Sequence, residues 1–440
     1  MELFDFIYYV LGGIISLLLL LFIINLFSEG KQLAVLKISI LLILFIFHWF
    51  ILDYLIYPAL FMYINFSFVS IFIMLFFLPV GKKQSISIPI ANGVRVDERD
   101  TMFARIELKP GTENYNSYYK IRPEMKNIDD KLRAMPKLFE SEGKHYEKIK
   151  AENIIKMFQI EENRIAEVDG DVNPQKKYYD SKSITKVIKE QCLKLGADEV
   201  GVALLNKNYV YSHQARGTKP WGTEITNNHK YVIAFSVEMD FDKVAKAPKL
   251  DITEETAKKY LKAQDISINL AKFIRDMGYP AVAHVSGSNY EIMLPPVAYD
   301  AGLGELGRMN YLISKKFGGR IRLGAVTTDI PLETDKPVSF AVNEFCEICM
   351  KCSNNCPSGS ISKNKKELIR AVAKWQFNVE QCYSYWRYLG SDCGICMKVC
   401  PFSHKNSLIH NLVRIGISNS SFARKISLWG DDFIYGKKIN

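Results

Sequence analysis

Eight of the nine cysteines fall between positions 346 and 400, at spacings that define their chemistry. Cys346-x2-Cys349-x2-Cys352-x3-Cys356-Pro357 is a complete bacterial ferredoxin run, and a split second run follows: Cys382, then Cys393-x2-Cys396-x3-Cys400-Pro401. Cysteines at two-residue intervals wrap one cubane, because the tight loop delivers each thiolate to a different iron. The fourth cysteine, turned away before its proline, ligates the other cluster. One [4Fe–4S] cluster is therefore expected on Cys346, Cys349, Cys352 and Cys400, and a second on Cys393, Cys396, Cys356 and the more distant Cys382. A four-cysteine zinc site would show two C-x2-C knuckles about 15–20 residues apart, unlike two C-x3-C-P endings. Cys192, alone on an expected helix, reads as a buried apolar residue.

Two crossed clusters move electrons one at a time, yet they need only a fraction of 440 residues. The stretch from 81 to about 335 must do something else, and a catalytic domain is the natural expectation. It contains no G-x-S-x-G, H-E-x-x-H or Walker A run, and no D-x-H-x-x-G. Gly302-Leu303-Gly304-Glu305-Leu306-Gly307 matches G-x-G-x-x-G on paper. It lacks the immediately preceding strand of a dinucleotide site, since Pro295-Pro296 and a short Val297–Ala301 stretch come before it. A tight turn against the core or against a non-nicotinamide cofactor is the better reading.

The elements that position these residues begin in a membrane. Phe6 to Phe27 is free of charge and long enough to cross a hydrocarbon layer as a helix. Ile38–Leu52 is shorter, with Lys37 and Asp53 placed to snorkel at its ends. A third apolar stretch runs from about Ala59 to Val80, after Pro58. Three spans are expected, and a cleaved signal peptide would lack the second and third. His48 reads as an interhelix hydrogen-bonding residue rather than a haem or quinone ligand. The first loop carries Lys31 and Lys37, and Lys82 and Lys83 follow the third span. The N-terminus and the Asp53–Pro58 loop carry no basic residue, so the N-terminus is expected outside and the large C-terminal domain in the cytoplasm. Disulfides are not expected there.

Residues 81–180 are polar and broken by Pro89, Pro110-Gly111, Pro123 and Pro136, which suggests an extended arm with short helices, Lys144–Glu162 the best of them. Helices are then expected at Ile184–Leu195 and Thr253–Met277. The second places Tyr260, Ala263, Ile266, Leu270, Phe273 and Ile274 on one face. Strands are expected at Glu199–Leu205, Tyr231–Val237, Ala281–Val285 and Ile321–Thr327. Helix and strand alternate, so the core is α/β. The expected organisation is an anchor (1–80), an arm (81–180), a catalytic core (181–335), a two-cluster ferredoxin-like module (336–410) and a C-terminal tail packing on the core (411–440).

A content of 48% hydrophobic, 24% charged and 12% aromatic residues excludes a disordered, collagen-like or coiled-coil chain. Of 57 basic and 47 acidic residues, only two and four lie in residues 1–80, so the remainder carries +12. That charge suits anionic lipid, nucleic acid or an acidic redox partner, or is a solvated surface.

After residue 90 the chain resembles the reductive dehalogenases. The stretches that carry the likeness are Val96-Asp97-Glu98-Arg99-Asp100-Thr101-Met102-Phe103-Ala104-Arg105, Pro110-Gly111-Thr112-Glu113 with Tyr118-Tyr119, Val237-Glu238-Met239-Asp240, and Ala301–Arg308. Thr328-Asp329-Ile330-Pro331-Leu332, the two cysteine runs and Trp429-Gly430-Asp431-Asp432 complete them. The resemblance implies a nitroreductase-like core holding a base-off cobalamin, a corrinoid beside the two clusters. It implies an oxidoreductase that reduces cobalt to Co(I) and replaces the halogen of a small organohalide by hydrogen. In the family a tyrosine donates the proton, with a lysine or arginine stabilising its anion. Arg308 closes the glycine-rich block and is the expected basic residue. Phe241 stands where family members often carry that tyrosine, so Tyr260 or Tyr290 is the expected donor. Asn289, Gly302, Gly304 and Gly307 are the expected cofactor contacts.

Respiratory members carry a twin-arginine signal and use a separate three-helix anchor. Here that anchor is fused, which makes this a multi-pass protein of the cell membrane. Its electron donor is expected to be a ferredoxin, a flavodoxin or a quinone-linked membrane protein. An anchored electron-transfer protein with a degenerate corrinoid domain is one alternative. An epoxyqueuosine reductase-like enzyme is another, although no nucleic-acid partner is expected.

Overall fold

The computed structural model describes residues 2–52, 58–81, 95–217, 219–285, 289–370 and 372–438. Residues 53–57, Lys82, Lys83 and Pro89, used above, lie outside the described residues. Three helices open the chain: α1 (Glu2–Ser28), α2 (Gln32–Ile46), prolonged by a wide π turn over Phe47–Leu52, and α3 (Pro58–Phe77). All three are long and apolar enough to cross a membrane. Short helices α4 (Met102–Ile106), α5 (Glu113–Ile121) and α6 (Pro123–Arg133) follow, then α7 (Lys148–Asn163) and α8 (Ser181–Lys194). Next come β1 (Glu199–Leu204), β2 (Tyr231–Glu238), α9 (Phe241–Val244), α10 (Leu250–Asp276), β3 (Ala281–Val285) and α11 (Leu294–Asp300). The hairpin β4 (Glu305–Leu306) and β5 (Leu312–Ile313) precedes β6 (Ile321–Thr328). The cysteine region holds α12 (Val342–Cys349), α13 (Lys351–Asn354), β7 (Glu367–Ile369), β8 (Val372–Lys374), α14 (Val379–Leu389) and α15 (Ile395–Lys398). Helices α16 (Leu408–Asn419) and α17 (Ser421–Tyr435) end it.

The chain divides into two compact units. The larger, Ile86–Ser339 with Met350–Ser403, is built on a four-stranded sheet in the order β1-β2-β6-β3. Every neighbouring pair is antiparallel. Helix and strand do alternate as expected, but β6 inserts between β2 and β3, so no two neighbours run parallel. The helix α10 crosses from β2 to β3 and seals one face. Its Ala263, Ile266, Leu270 and Ile274 are all fully buried, the stripe that a 3.6-residue period requires. Ile184, Ile188 and Cys192, one turn apart along α8, join the same core. Gly324 of β6 is fixed by packing: a Cβ there would lie 2.4 Å from the Phe235 ring.

Residues 98–163 are more ordered than an extended arm. Tyr115, Tyr118 and Tyr119 of α5 are buried together with Leu108. Their hydroxyls bond Asp130, Asp100 and Asp129, which is how so polar a segment satisfies its buried oxygens. Ile154 of α7 packs on Leu250 and Ala257 of α10.

The smaller unit, Met1–Ser85, Phe340–Cys349 and His404–Asn440, joins the two ends of the chain. The segment 411–440 is therefore part of the unit of the apolar helices rather than a tail on the α/β core. Ser420 Oγ donates to the Leu75 carbonyl, Lys37 Nζ to that of Phe433 and Tyr435 Oη to Glu29. Gly416 lets α16 approach α3, since a Cβ would meet the Phe76 ring at 2.1 Å. His48 does bridge helices: its Nε2 lies 3.3 Å from Asn65 Oδ1, and Asn65 Nδ2 donates to Tyr8 Oη.

Candidate cluster and proton-transfer site

Within the larger unit the fold gathers four thiols from separate places in the chain. Cys356 follows α13, Cys382 lies on α14, Cys393 precedes α15 and Cys396 lies on it. Asn378 starts α14 by accepting a hydrogen bond from the Gln381 amide. Burial pushes the Cys382 thiol up to about 12 and Cys393 up to about 11, and the neighbouring thiols, Cys356 among them, push further. Cys396 is raised too, by burial and then by Cys393, Cys382 and Cys356. Cys382, Cys393 and Cys396, raised by burial and by neighbouring thiols, are a poor arrangement for bare protein, and a cation among them removes the conflict. Among the described residues no three His, Cys, Asp or Glu side chains converge on a single-ion site; a cubane, wider than an ion, needs no such convergence.

The two cysteine runs share a backbone device. Met350, after Cys349, sits at φ 54° and ψ 7°, and Gly394, after Cys393, at φ 64° and ψ 1°. Both are left-handed residues that start a one-turn helix carrying the next cysteine. For methionine that conformation is costly. Of the other four cysteines, Cys346 and Cys349 lie on α12 of the smaller unit, while Cys352 on α13 and Cys400 after α15 belong to the larger.

Arg322 of β6 lies beside this group. Its guanidinium covers the Tyr260 ring at 5.2 Å, and Nη2 donates to Thr256 Oγ1 at 2.8 Å. Nη1 approaches Met397 Sδ, next to Cys396. The Tyr311 hydroxyl is raised by burial and by the thiols of Cys396 and Cys382, and Arg322 opposes that rise. Asp392 is likewise raised by burial and pulled back by Arg322. One cation thus acts on Tyr311 and Asp392, which adjoin the thiols, and covers the half-buried ring of Tyr260.

The other expected residues are placed as follows. Arg308 is buried with Nη1 donating to the carbonyls of Ser362 and Asn364 and its guanidinium 4.6 Å from the Trp375 ring. The guanidinium over Tyr260 is that of Arg322 rather than Arg308. Tyr290 stacks under Arg216 at 3.7 Å, and Arg216 is paired with the fully buried Glu98 at 2.9 Å. Burial raises the Glu98 carboxyl, while Arg216 and two backbone amides lower it. Asn289 is a turn residue: Nδ2 donates to the Ala283 carbonyl and Oδ1 accepts from the Glu291 amide. A Cβ on Gly302 would meet the Lys336 carbonyl at 2.7 Å, and one on Gly304 the Ile313 carbonyl at 2.3 Å. The Gly307 amide donates to Tyr311 across the β4–β5 turn. The close approach at Gly302 and Gly304 is to protein backbone, so sterics explain these glycines without a cofactor. Phe241 begins α9, with Arg320 over its ring at 5.5 Å. Cys192 is buried and raised to about 12 by burial alone, as an apolar-packed thiol should be.

Sequence reasoning missed Arg322 and the Glu98–Arg216 pair. A signal for the first existed: Arg322 is the one charge in the otherwise uncharged strand Ile321–Thr328.

Known proteins agree with this architecture. Residues 345–404 match the family model described as a 4Fe-4S dicluster domain. The tetrachloroethene reductive dehalogenase of Sulfurospirillum multivorans is 33% identical over 296 residues, 59% of this chain and 58% of that protein. That of Desulfitobacterium hafniense is 29% identical over 316 residues, 60% of this chain and 56% of that protein. The chain thus spans under two thirds of the length of these relatives. The structure of the catabolic reductive dehalogenase NpRdhA in complex with 3-bromo-4-hydroxybenzoic acid superposes with a TM-score of 0.66 at 22% identity, over 82% of this chain and 49% of that one. In sequence the chain is similar to the tetrachloroethene reductive dehalogenases, and it shares the fold of the reductive dehalogenase NpRdhA.

Proposed function

We propose that this chain is a membrane-anchored reductive dehalogenase, an oxidoreductase that replaces a halogen by hydrogen in a small organohalide. The observation that carries the reading is the Arg322–Tyr260 pair beside the cysteines of a 4Fe-4S dicluster module, in a fold shared with a dehalogenase. The reaction consumes two electrons and one proton and releases halide and the hydrogen-substituted product. When bound, a corrinoid supplies the reducing metal at which the carbon–halogen bond breaks, and two [4Fe–4S] clusters supply electrons one at a time.

The chain's own residues fit these groups. Cys356, Cys382, Cys393 and Cys396 hold one cluster, and Cys346, Cys349, Cys352 and Cys400 the other. A base-off corrinoid asks for no cobalt ligand, but its amide rim needs polar partners. Arg322 Nε and Gln214 Oε1, a buried donor and a buried acceptor, have none among the described residues. Tyr260 holds the proton at its phenolic oxygen and delivers it to the carbon that loses halide. Arg322, steadied by Thr256, offsets the negative charge left on the phenol.

Lys31 between α1 and α2 and Lys37 in the second turn of α2 support an outside N-terminus and a cytoplasmic large unit. A ferredoxin, a flavodoxin or a quinone-linked protein would then supply electrons.

The test is anaerobic purification in mild detergent with cobalt, iron and sulfide measured on one sample. About one cobalt and about eight irons per chain are expected, together with halide release from chlorinated or brominated substrates under a low-potential reductant. Full iron without cobalt, after corrinoid is offered, would leave an anchored electron carrier instead.

A further inference from the structure

At the end of α1, in the smaller unit, five titratable side chains form two hydrogen-bonded sets, stacked on one another, that the chemistry above does not use. Glu29 is buried at its carboxylate; Asn25 Nδ2 donates to Oε1 and Tyr435 Oη donates to Oε2 at 3.1 Å. His410 Nε2 lies 3.0 Å from the same Tyr435 hydroxyl, and its Nδ1 lies 3.0 Å from the Lys405 carbonyl and 3.0 Å from Ser407 Oγ. His404 Nε2 lies 2.6 Å from Asp431 Oδ1. The His404 ring stacks on Tyr435 at 3.9 Å and on His410 at 4.9 Å, and Phe22 of α1 meets His410 edge-on. Arg414 donates to the His404 carbonyl, and Lys405 Nζ to that of Ser28.

The hydrogen inventory of the row Glu29–Tyr435–His410 is informative. The Lys405 carbonyl can only accept, so His410 Nδ1 carries a hydrogen. One Tyr435 hydroxyl hydrogen then faces two acceptors, Glu29 Oε2 and His410 Nε2. The row is complete only with one more proton, on either Glu29 or His410, and the two forms differ by a shift along two hydrogen bonds. Burial, with His404 and Arg414 nearby, holds His410 down to about 2, and burial with Glu29 raises Tyr435. The ring therefore rests neutral and the phenol protonated. His404–Asp431 is a second, separate proton acceptor stacked on the first.

Two features name the ligand. The group closes an apolar helix of membrane-spanning length, where a lipid-soluble molecule arrives. Its acceptors are the carboxyl groups of Glu29 and Asp431 and the imidazole of His410, which suit a proton-giving ring better than an anionic headgroup. The electron acceptor is also at hand: α12, with Cys346 and Cys349, packs on α17, which carries Asp431 and Tyr435.

We propose that Glu29, His404, His410, Asp431 and Tyr435 form an oxidation site for a membrane hydroquinone. Both hydroxyl O–H bonds of the ring break. One proton passes to the His404–Asp431 pair, the other enters the Glu29–Tyr435–His410 row, and two electrons leave singly for the cluster on Cys346 and Cys349 as the ring becomes quinone. This rests on the dehalogenase reading only for the fate of those electrons.

The experiment uses the cluster-loaded full chain in nanodiscs. An azido-naphthoquinone is photolysed and the labelled peptides are mapped, and menadiol-driven cluster reduction is followed by EPR. Labelling of α1, α16 or α17 is expected. Glu29→Gln and Asp431→Asn should each slow menadiol-driven reduction by roughly 10²-fold, while reduction by a viologen shows that their clusters are intact. Labelling confined elsewhere, or variants reduced at the parent rate, would overturn the proposal. A parent reduced by menadiol that dehalogenates nothing would sink the dehalogenase reading and leave this site standing.

Discussion

Tyr260 and Arg322 show what one chain position can and cannot disclose. Tyr260 was visible on the α10 stripe, but its basic partner comes from β6 and only the sheet brings them together. Arg308 was favoured because it closes a glycine-rich block; that block turned out to be tight backbone packing. The iron–sulfur module, by contrast, was legible from spacing alone and matches a 4Fe-4S dicluster domain over residues 345–404, because cluster geometry is written in local loop length. Replacing Tyr260 by Phe should lower halide release by about 10²-fold or more, with EPR of the clusters unchanged. Arg322→Lys should recover part of the loss seen in Arg322→Ala, because charge is kept while the planar stack and the Thr256 bond are not. Cys382 is the proposed ligand that stands apart from the C-x2-C-x3-C-P run of Cys393–Pro401. Cys382→Ser should remove or convert one cluster, lowering iron towards about four per chain by elemental analysis, and leave the other cluster's EPR signal in place.

Elements were more legible than their pairing. The strands at 199, 231, 281 and 321 and the long helix α10 begin and end within a few residues of expectation, since each carries its own apolar period. The antiparallel order was not legible, because strand order depends on contacts made a hundred residues apart. Polar composition also disguised 98–163, whose tyrosines bury their rings and bond their hydroxyls to aspartates. Between α7 and α10 lies a strained contact that no pattern signalled. Glu161 is 1% exposed, its Oε1 has no partner among the described residues, and burial raises its carboxyl to about 8, with Glu162 adding to the rise. The folded chain therefore binds this proton more tightly than the unfolded chain. Its contribution is most favourable below the ordinary carboxylate value and is lost as pH climbs toward 8, by on the order of a few kcal/mol. Thermal denaturation between pH 5 and 9 should show that decline, and Glu161→Gln should flatten it. An unchanged slope in the variant would assign the decline to other groups.

At the scale of the molecule, the surprise is which segments share a unit. The apolar spans and the redox module were clear in the sequence. That residues 404–440 pack with α1–α3 was not, because the surfaces involved are small and shared by many helices: Gly416 against Phe76, Lys37 on Phe433, Ser420 on Leu75. Removing residues 1–80 to obtain a soluble enzyme should consequently fail. The truncated chain exposes the faces of α16 and α17 and is expected in the void volume of a sizing column, whereas the full chain in mild detergent runs as a single peak. A monodisperse truncated form with both clusters would contradict this.

The same arrangement constrains how the protein is made. The three spans leave the ribosome first, yet the helices that cover their ends come only after the chain from Phe77 to His404 has been translated. At roughly 5–20 residues per second that interval is tens of seconds. Throughout it Glu29, just past the end of α1, is without its Tyr435 partner. A cell producing this protein must keep an unfinished anchor from being degraded or mispaired until α16 and α17 arrive, so a frameshift just before α16 would be felt first in the helices α1–α3.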